Sequence, residues 1–146
     1  MATLTSDLAA SNSAFTGPGG GVVYVRECVY SALSSLALND VIQMIPVAPG
    51  ERVVDLQLIC EDLDTGTPAI VLDVGDGDDT DRYIDGSTAA QAGGVTRMGS
   101  GIDTDAEAIA YNKLYTVADT IDVLVQVAAA TPAAGTIRLR AFLVRG

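Results

Sequence analysis

Residues 52–64 read RVVDLQLICEDLD, and their alternation decides the fold class. Val54, Leu56, Leu58 and Cys60 point one way; Val53, Asp55, Gln57, Ile59 and Glu61 point the other. A period of two over this length is a β-strand with one buried face. Upstream, VVYVRECVYSAL (22–33) is rich in the β-branched and aromatic residues that strands favour. DVIQMIPV (40–47) follows, and Pro49–Gly50 makes a turn before the central strand.

Downstream, DTGTP (64–68) is another turn, and AIVLDVG (69–75) a strand with Ile70, Leu72 and Val74 inward. In DTIDVLVQVAAA (119–130), Ile121, Val123, Val125 and Val127 share a face. After the turn-rich TPAAG (131–135), TIRLRAFLVRG (136–146) sets Ile137, Leu139, Ala141 and Leu143 inward, Arg138 and Arg140 outward. These last two strands are expected to pair as an antiparallel hairpin. Residues 86–112 read as a long loop ending in a strand near 112–117, and TDAE (104–107) matches a capping box for one helical turn. Seven or eight short strands with Gly, Pro and Asp turns and no long helical period predict an all-β fold. Its expected form is an antiparallel β-sandwich of jelly-roll type.

The chain divides at residue 21. Residues 1–21, with SDLAASNSAFTGPGGG, are small, polar and glycine-rich, and show no sustained period. They read as a disordered tail or as a flexible arm that orders on a neighbouring subunit, with Leu8 and Phe15 as apolar anchors. GPGGG is no phosphate loop, because no strand precedes it and no GK[ST] follows. Residues 22–146 form the sandwich domain.

A chain of 146 residues fits one domain. Tryptophan and histidine are absent, and five tyrosines and two phenylalanines leave an aliphatic core. The net charge of −11 argues against nucleic acid, whose phosphates bind lysine and arginine, and against an anionic membrane. Cys28 and Cys60 fall in strands and are expected as buried free thiols, and two cysteines without histidine do not make the usual structural zinc site. The first residues lack a basic start and an apolar core, and no apolar run approaches the ~18 residues of a membrane span. The expectation is a soluble protein made in a host cytoplasm.

Residues 73–86, DVGDGDDTDRYIDG, hold six aspartates and one arginine. A catalytic carboxylate pair of the glycosidase kind lacks aromatic sugar platforms here. A calcium loop would use Asp76, Asp78 and Asp81, but Asp81 stands at the EF-hand's glycine position and Ser87 at its glutamate position. The favoured reading is an acidic, water-facing turn, with Gly75 and Gly77 permitting positive φ and the aspartates capping backbone N–H groups. Arg82 is expected in a bidentate bridge to one carboxylate, with Tyr83 and Ile84 packed beneath. With no histidine, P-loop or GxSxG elbow, a non-enzyme is expected, with no catalytic, cofactor or metal residues. Arg138, Arg140 and Arg145 form the basic cluster of the chain, read either as a contact for an acidic partner or as a solvated face.

The run VIQMIPVAPGERVVDLQLICEDLDTGTPAIVLDVGDGDDTDRYIDG, with the later YTVADTIDVLVQVAAATPAAGTIRLRAFLVRG, resembles small virion structural proteins of tailed bacteriophages. The resemblance covers roughly residues 40–86 and 115–146 and rests on turn motifs. It implies a non-catalytic capsid decoration, or cement, protein. Its partners would be the major capsid protein and itself, as a homo-oligomer with a trimer favoured, on the outer surface of the head. Leu8, Phe15, Arg138, Arg140 and Arg145 are the candidate capsid or subunit contacts. The alternatives are a tail or head-fibre component, or a carbohydrate- or calcium-binding adhesion module.

Overall fold

A computed structural model describes residues 22–32, 36–101, 110–111 and 113–145. Among them run eight strands: β1 (Tyr24–Ala32), β2 (Val41–Val47), β3 (Glu51–Cys60), β4 (Val71–Gly75), β5 (Ile84–Ser87), β6 (Gly94–Arg97), β7 (Asp119–Val127) and β8 (Gly135–Arg145). They form two four-stranded antiparallel sheets, ordered β1-β8-β3-β6 and β2-β7-β4-β5. This strand order is the double Greek key of a jelly roll. The all-β sandwich read from the alternation is therefore the observed fold.

The inner faces supply the core. Leu56, Leu58, Ile137, Leu139, Ala141 and Leu143 from one sheet meet Leu72, Val74, Ile121, Val123 and Val125 from the other, each fully shielded from water. Closing such aliphatic side chains away from water contributes about 1.5–3 kcal/mol apiece against the entropy of ordering the chain. The inward assignments for β4 and β8 hold at every position named. Two others fail. Register slips between Val53 and Asp55 of β3, a β-bulge, so Val53 turns fully inward and Val54 stays half-buried. One extra residue on one strand inverts the faces beyond it. Val127, the last residue of β7, is 40% exposed.

The expected hairpin of the last two strands does not form. β7 pairs with β2 and β4, and β8 pairs with β1 and β3, in opposite sheets. Alternation fixes which side chains are buried but not which sheet buries them. The stretch read as a long loop holds β5's end, a short 3-10 turn at Ala89–Gln91, and β6. Beyond it, the expected strand near 112–117 is reduced to an isolated bridge between Leu114 and Arg52. The TDAE segment lies outside the described residues, as do Leu8 and Phe15. Both cysteines are free thiols, but Cys28 is half-buried while Cys60 is buried. Burial pushes the Cys60 thiol up to about 12. Cys28 is half-exposed because β1 is an edge strand.

Candidate functional site

The aspartate-rich segment follows β4 and folds back on the core. Asp76 is its hub. Its side chain is fully buried and accepts from four donors: Arg82 Nε at 2.7 Å, Tyr115 Oη at 3.0 Å, and the backbone N–H groups of Asp78 at 3.1 Å and Asp79 at 3.0 Å. Four donors on one carboxylate satisfy the desolvation requirement of a buried charge. Tyr83 and Ile84 lie fully buried beneath, as expected, and Tyr83 Oη stands 2.6 Å from Tyr115 Oη. Arg82 does not chelate one carboxylate. It holds Asp76 through Nε and reaches Asp79 with Nη1 at 3.9 Å.

Gly75 is required by contact: a Cβ there would sit 2.0 Å from the Asp79 carbonyl oxygen. The turn is also tied to the segment before β7, through Lys113 Nζ to Asp78 at 3.1 Å, and to the first residue of β7, through Gly77 N–H to Asp119 at 3.3 Å. The cluster is thus only partly water-facing. Asp73 is buried as well, accepts from Gly86 N–H at 2.8 Å, and burial raises its pKa. Asp81 is pushed up to about 6, first by its hydrogen bond to Asp79 and then by burial.

A second buried carboxylate was missed by the sequence reading. Asp64, in the turn after β3, accepts the N–H groups of Ala69 (2.7 Å), Ile70 (3.0 Å), Ala130 (2.9 Å) and Thr131 (2.7 Å). Burial works to raise its pKa, but the four donors outweigh it and hold the carboxyl at about 2. The last two donors belong to the crossover from β7 to β8, so Asp64 pins the sheet change. The EDLDTG turn was the available signal, but two of the four donors, Ala130 and Thr131, lie more than sixty residues away.

A third, Glu51, opens β3. Arg26 grips it with Nη1 at 2.5 Å and Nη2 at 2.8 Å, Tyr24 Oη donates at 2.6 Å and Ala48 N–H at 2.8 Å. Arg26 leads in holding its carboxyl down at about 2, against burial.

Each carboxylate is filled by donors belonging to the fold itself. Among the described residues, no group of three or more His, Cys, Asp or Glu side chains is placed to hold a metal ion. An open groove of about 330 Å³ between the ends of β1 and β2 is lined by Tyr30, Leu36, Asp40, Val41, Ile42 and Gln43. Its one carboxylate, Asp40, is occupied by the N–H of Ala37 at 2.8 Å. Tyr83 and Tyr115, two of the chain's five tyrosines, are buried and offer no sugar platform.

What remains is surface. On the outer face of the β1-β8-β3-β6 sheet, Arg138 and Arg140 of β8 both bind Glu27 of β1, Arg140 Nε at 2.7 Å. Arg140 also donates to Gln57 at 3.3 Å, and Arg97 pairs with Asp55. Exposed Val25, Val29 and Val95 lie between these charges. The structure therefore brings Arg138 and Arg140 together and leaves Arg145 apart, exposed at the end of β8 opposite Glu51.

No family model and no curated protein matches the chain. Among solved structures, it is similar to a chain of the cyanophage Pam1 capsid asymmetric unit, with 27% identity over 100% of both chains and a TM-score of 0.73. It is also similar to a chain of the capsid of Ralstonia phage GP4, with 29% identity over 98% of this chain and 97% of that one, and a TM-score of 0.73. A chain of the acidic stable capsid of Helicobacter pylori bacteriophage KHP30 shares the fold, with 16% identity, a TM-score of 0.57, and coverage of 84% and 89%. Fold and sequence together place this chain with the virion structural proteins of bacteriophage capsids, the group its sequence resembles.

Proposed function

We propose that the protein is a capsid decoration, or cement, protein: a non-catalytic clamp on the outer surface of the head that binds the major capsid protein and its own copies, as a trimer. The observation that carries this reading is the end-to-end likeness to capsid chains. Charge supports the outer side. A net charge of −11 is repelled by packaged DNA. Among the described residues, no helix is long and apolar enough to cross a membrane.

The contact surface in this reading is the outer face of the β1-β8-β3-β6 sheet, with Arg138, Arg140 and Arg145, joined by the arm of residues 1–21 through Leu8 and Phe15. Repetition on a lattice multiplies weak contacts. Reconstruction of particles containing the chain tests it. Density distributed over the shell exterior at lattice axes is expected. Density confined to one vertex or to fibres would replace it with the tail or head-fibre reading.

A further inference from the structure

Each jelly-roll sheet has two edges, and edges pair with foreign strands unless guarded. β2 carries Pro46 and a register break between Gln43 and Ile45, and β5 and β6 span only four residues each. β1 has no such guard. It runs nine residues, YVRECVYSA, in unbroken register against β8, with neither proline nor lysine. Among the described residues, no strand pairs with its other side. β1 also exposes Val25, Val29 and Tyr30, with exposed Val22 and Val23 just before it. Among the described residues, no other strand exposes more than one large apolar side chain. Charge narrows the occupant. At net charge −11, copies of the chain repel one another over most of their surface. Beside β1, however, Arg26, Arg138 and Arg140 stand against Glu27 and Glu51, and each is paired within its own subunit. Two copies can therefore meet edge to edge at β1 without net acidic repulsion.

We propose that β1 of one copy pairs antiparallel with β1 of a second copy across a two-fold axis, joining their β1-β8-β3-β6 sheets into one continuous sheet. The register centres on Cys28. Cys28 then faces the partner's Cys28, Glu27 faces the partner's Val29, and Val25 faces the partner's Ser31. All nine residues of the strand find a partner, and no like charges stand directly opposite. Centring on Glu27 sets carboxylate against carboxylate, which opposes pairing, and centring on Val29 leaves Tyr24 and Val25 outside the ladder. Antiparallel pairing about an axis normal to the sheet turns both outer faces, with Arg138 and Arg140, the same way, as a shared footprint on one shell requires. Parallel pairing about an axis along the strands turns them apart. On the decoration reading above, on which this rests, the β1 edges tie neighbouring trimers together across the two-fold axes of the shell, an isologous contact.

Cys28 is a native probe of this register. Directly opposed antiparallel residues hold their Cα atoms about 4.5–5.5 Å apart, within disulfide range. Particles carrying the full-length chain are treated with oxidised glutathione, which accepts two electrons and two protons from the paired thiols and leaves as two reduced glutathiones. A non-reducing gel with peptide mass spectrometry reads the product, and buried Cys60 stays out of reach. The expected result is a Cys28–Cys28 disulfide joining two chains. Val29→Glu keeps its own Arg138 alongside but sets a carboxylate opposite the partner's Glu27. It should lower the linked yield severalfold, because the two-fold axis counts the repulsion twice, whereas Val29→Lys should keep the link. In a Cys28→Ser background, Val25→Cys and Ser31→Cys on the same chain should restore linked chains, and Val95→Cys, on the far edge strand β6, should not. No link at Cys28, equal linking from Val95→Cys, or equal yields from Val29→Glu and Val29→Lys overturns the proposal. Particles that carry the chain on their exterior yet show no link sink this inference alone, and particles without it there overturn the decoration reading as well.

Discussion

Tyr83 and Tyr115 meet hydroxyl to hydroxyl at 2.6 Å inside the core, thirty-two residues apart in sequence. Tyr115 donates onward to Asp76 at 3.0 Å, so Tyr83 must donate to Tyr115. The chain of donors has a direction, and the two hydroxyls are not equivalent. Tyr115→Phe removes a donor from the buried Asp76 and the acceptor of Tyr83, and should cost about 2–3 kcal/mol. Tyr83→Phe removes only a donor to Tyr115, whose own hydroxyl still donates to Asp76, and should cost about 1 kcal/mol. Urea denaturation of the two variants checks the order, and equal losses would remove the directional network.

Asp64→Ala should rank among the most damaging single substitutions in the chain. It leaves the N–H groups of Ala69, Ile70, Ala130 and Thr131 without their acceptor and frees the crossover between the sheets. A fall in Tm on the order of 10 °C is expected by calorimetry. Asp62→Ala, which removes a single backbone contact to Asp64 N–H at 3.0 Å, should shift it far less.

Two glycines separate close contact from backbone conformation. A Cβ on Gly75 would collide with the Asp79 carbonyl oxygen at 2.0 Å and the Thr80 carbonyl carbon at 2.3 Å, both backbone atoms. Gly75→Ala must therefore open the turn, at a cost of about 3 kcal/mol or more. Gly86 has φ +74° with nothing near its missing Cβ, so Gly86→Ala should cost only about 1 kcal/mol. Chemical denaturation measures both.

Stability should peak in mildly acid solution. Asp81 is pushed up to about 6 in the folded protein, above its unfolded value near about 3.9. Its contribution is complete below the unfolded value and is lost as pH rises through about 6. Glu51 and Asp64 are held at about 2, so their contributions are present above the unfolded values and are lost as pH falls toward 2. The two sets of contributions meet near about pH 4, where Tm should be highest, and the Asp81 part declines from there to about pH 6. Asp81→Asn should flatten the decline between about pH 4 and 6 and leave the loss toward pH 2 unchanged. A Tm that rises steadily from pH 5 to 8 in the unaltered protein would contradict this.

The double variant Arg138→Gln, Arg140→Gln addresses the surface. Both side chains are partly exposed and pair with the exposed Glu27, so Tm should move by no more than a few degrees. In the decoration reading, occupancy on particles should fall at least about tenfold, the cost of a lost charge contact at a desolvated interface. Full occupancy would take the two arginines out of the contact.

The sequence by itself determined the burial pattern. Leu56, Leu58, Leu72, Val74, Ile121, Leu139 and their alternating neighbours lie where period two places them, because a pleated strand sends successive side chains to opposite faces. That local rule yields a sandwich, and the turn motifs yield the kinship with capsid proteins. Only the tertiary structure decided which sheet each strand joins, and so parted β7 from β8. It alone turned Val53 inward through a bulge, and buried Asp64 and Asp76 among donors from distant segments. Strand partnership and carboxylate burial depend on contacts between residues far apart in the chain, and no short window of sequence carries that energy.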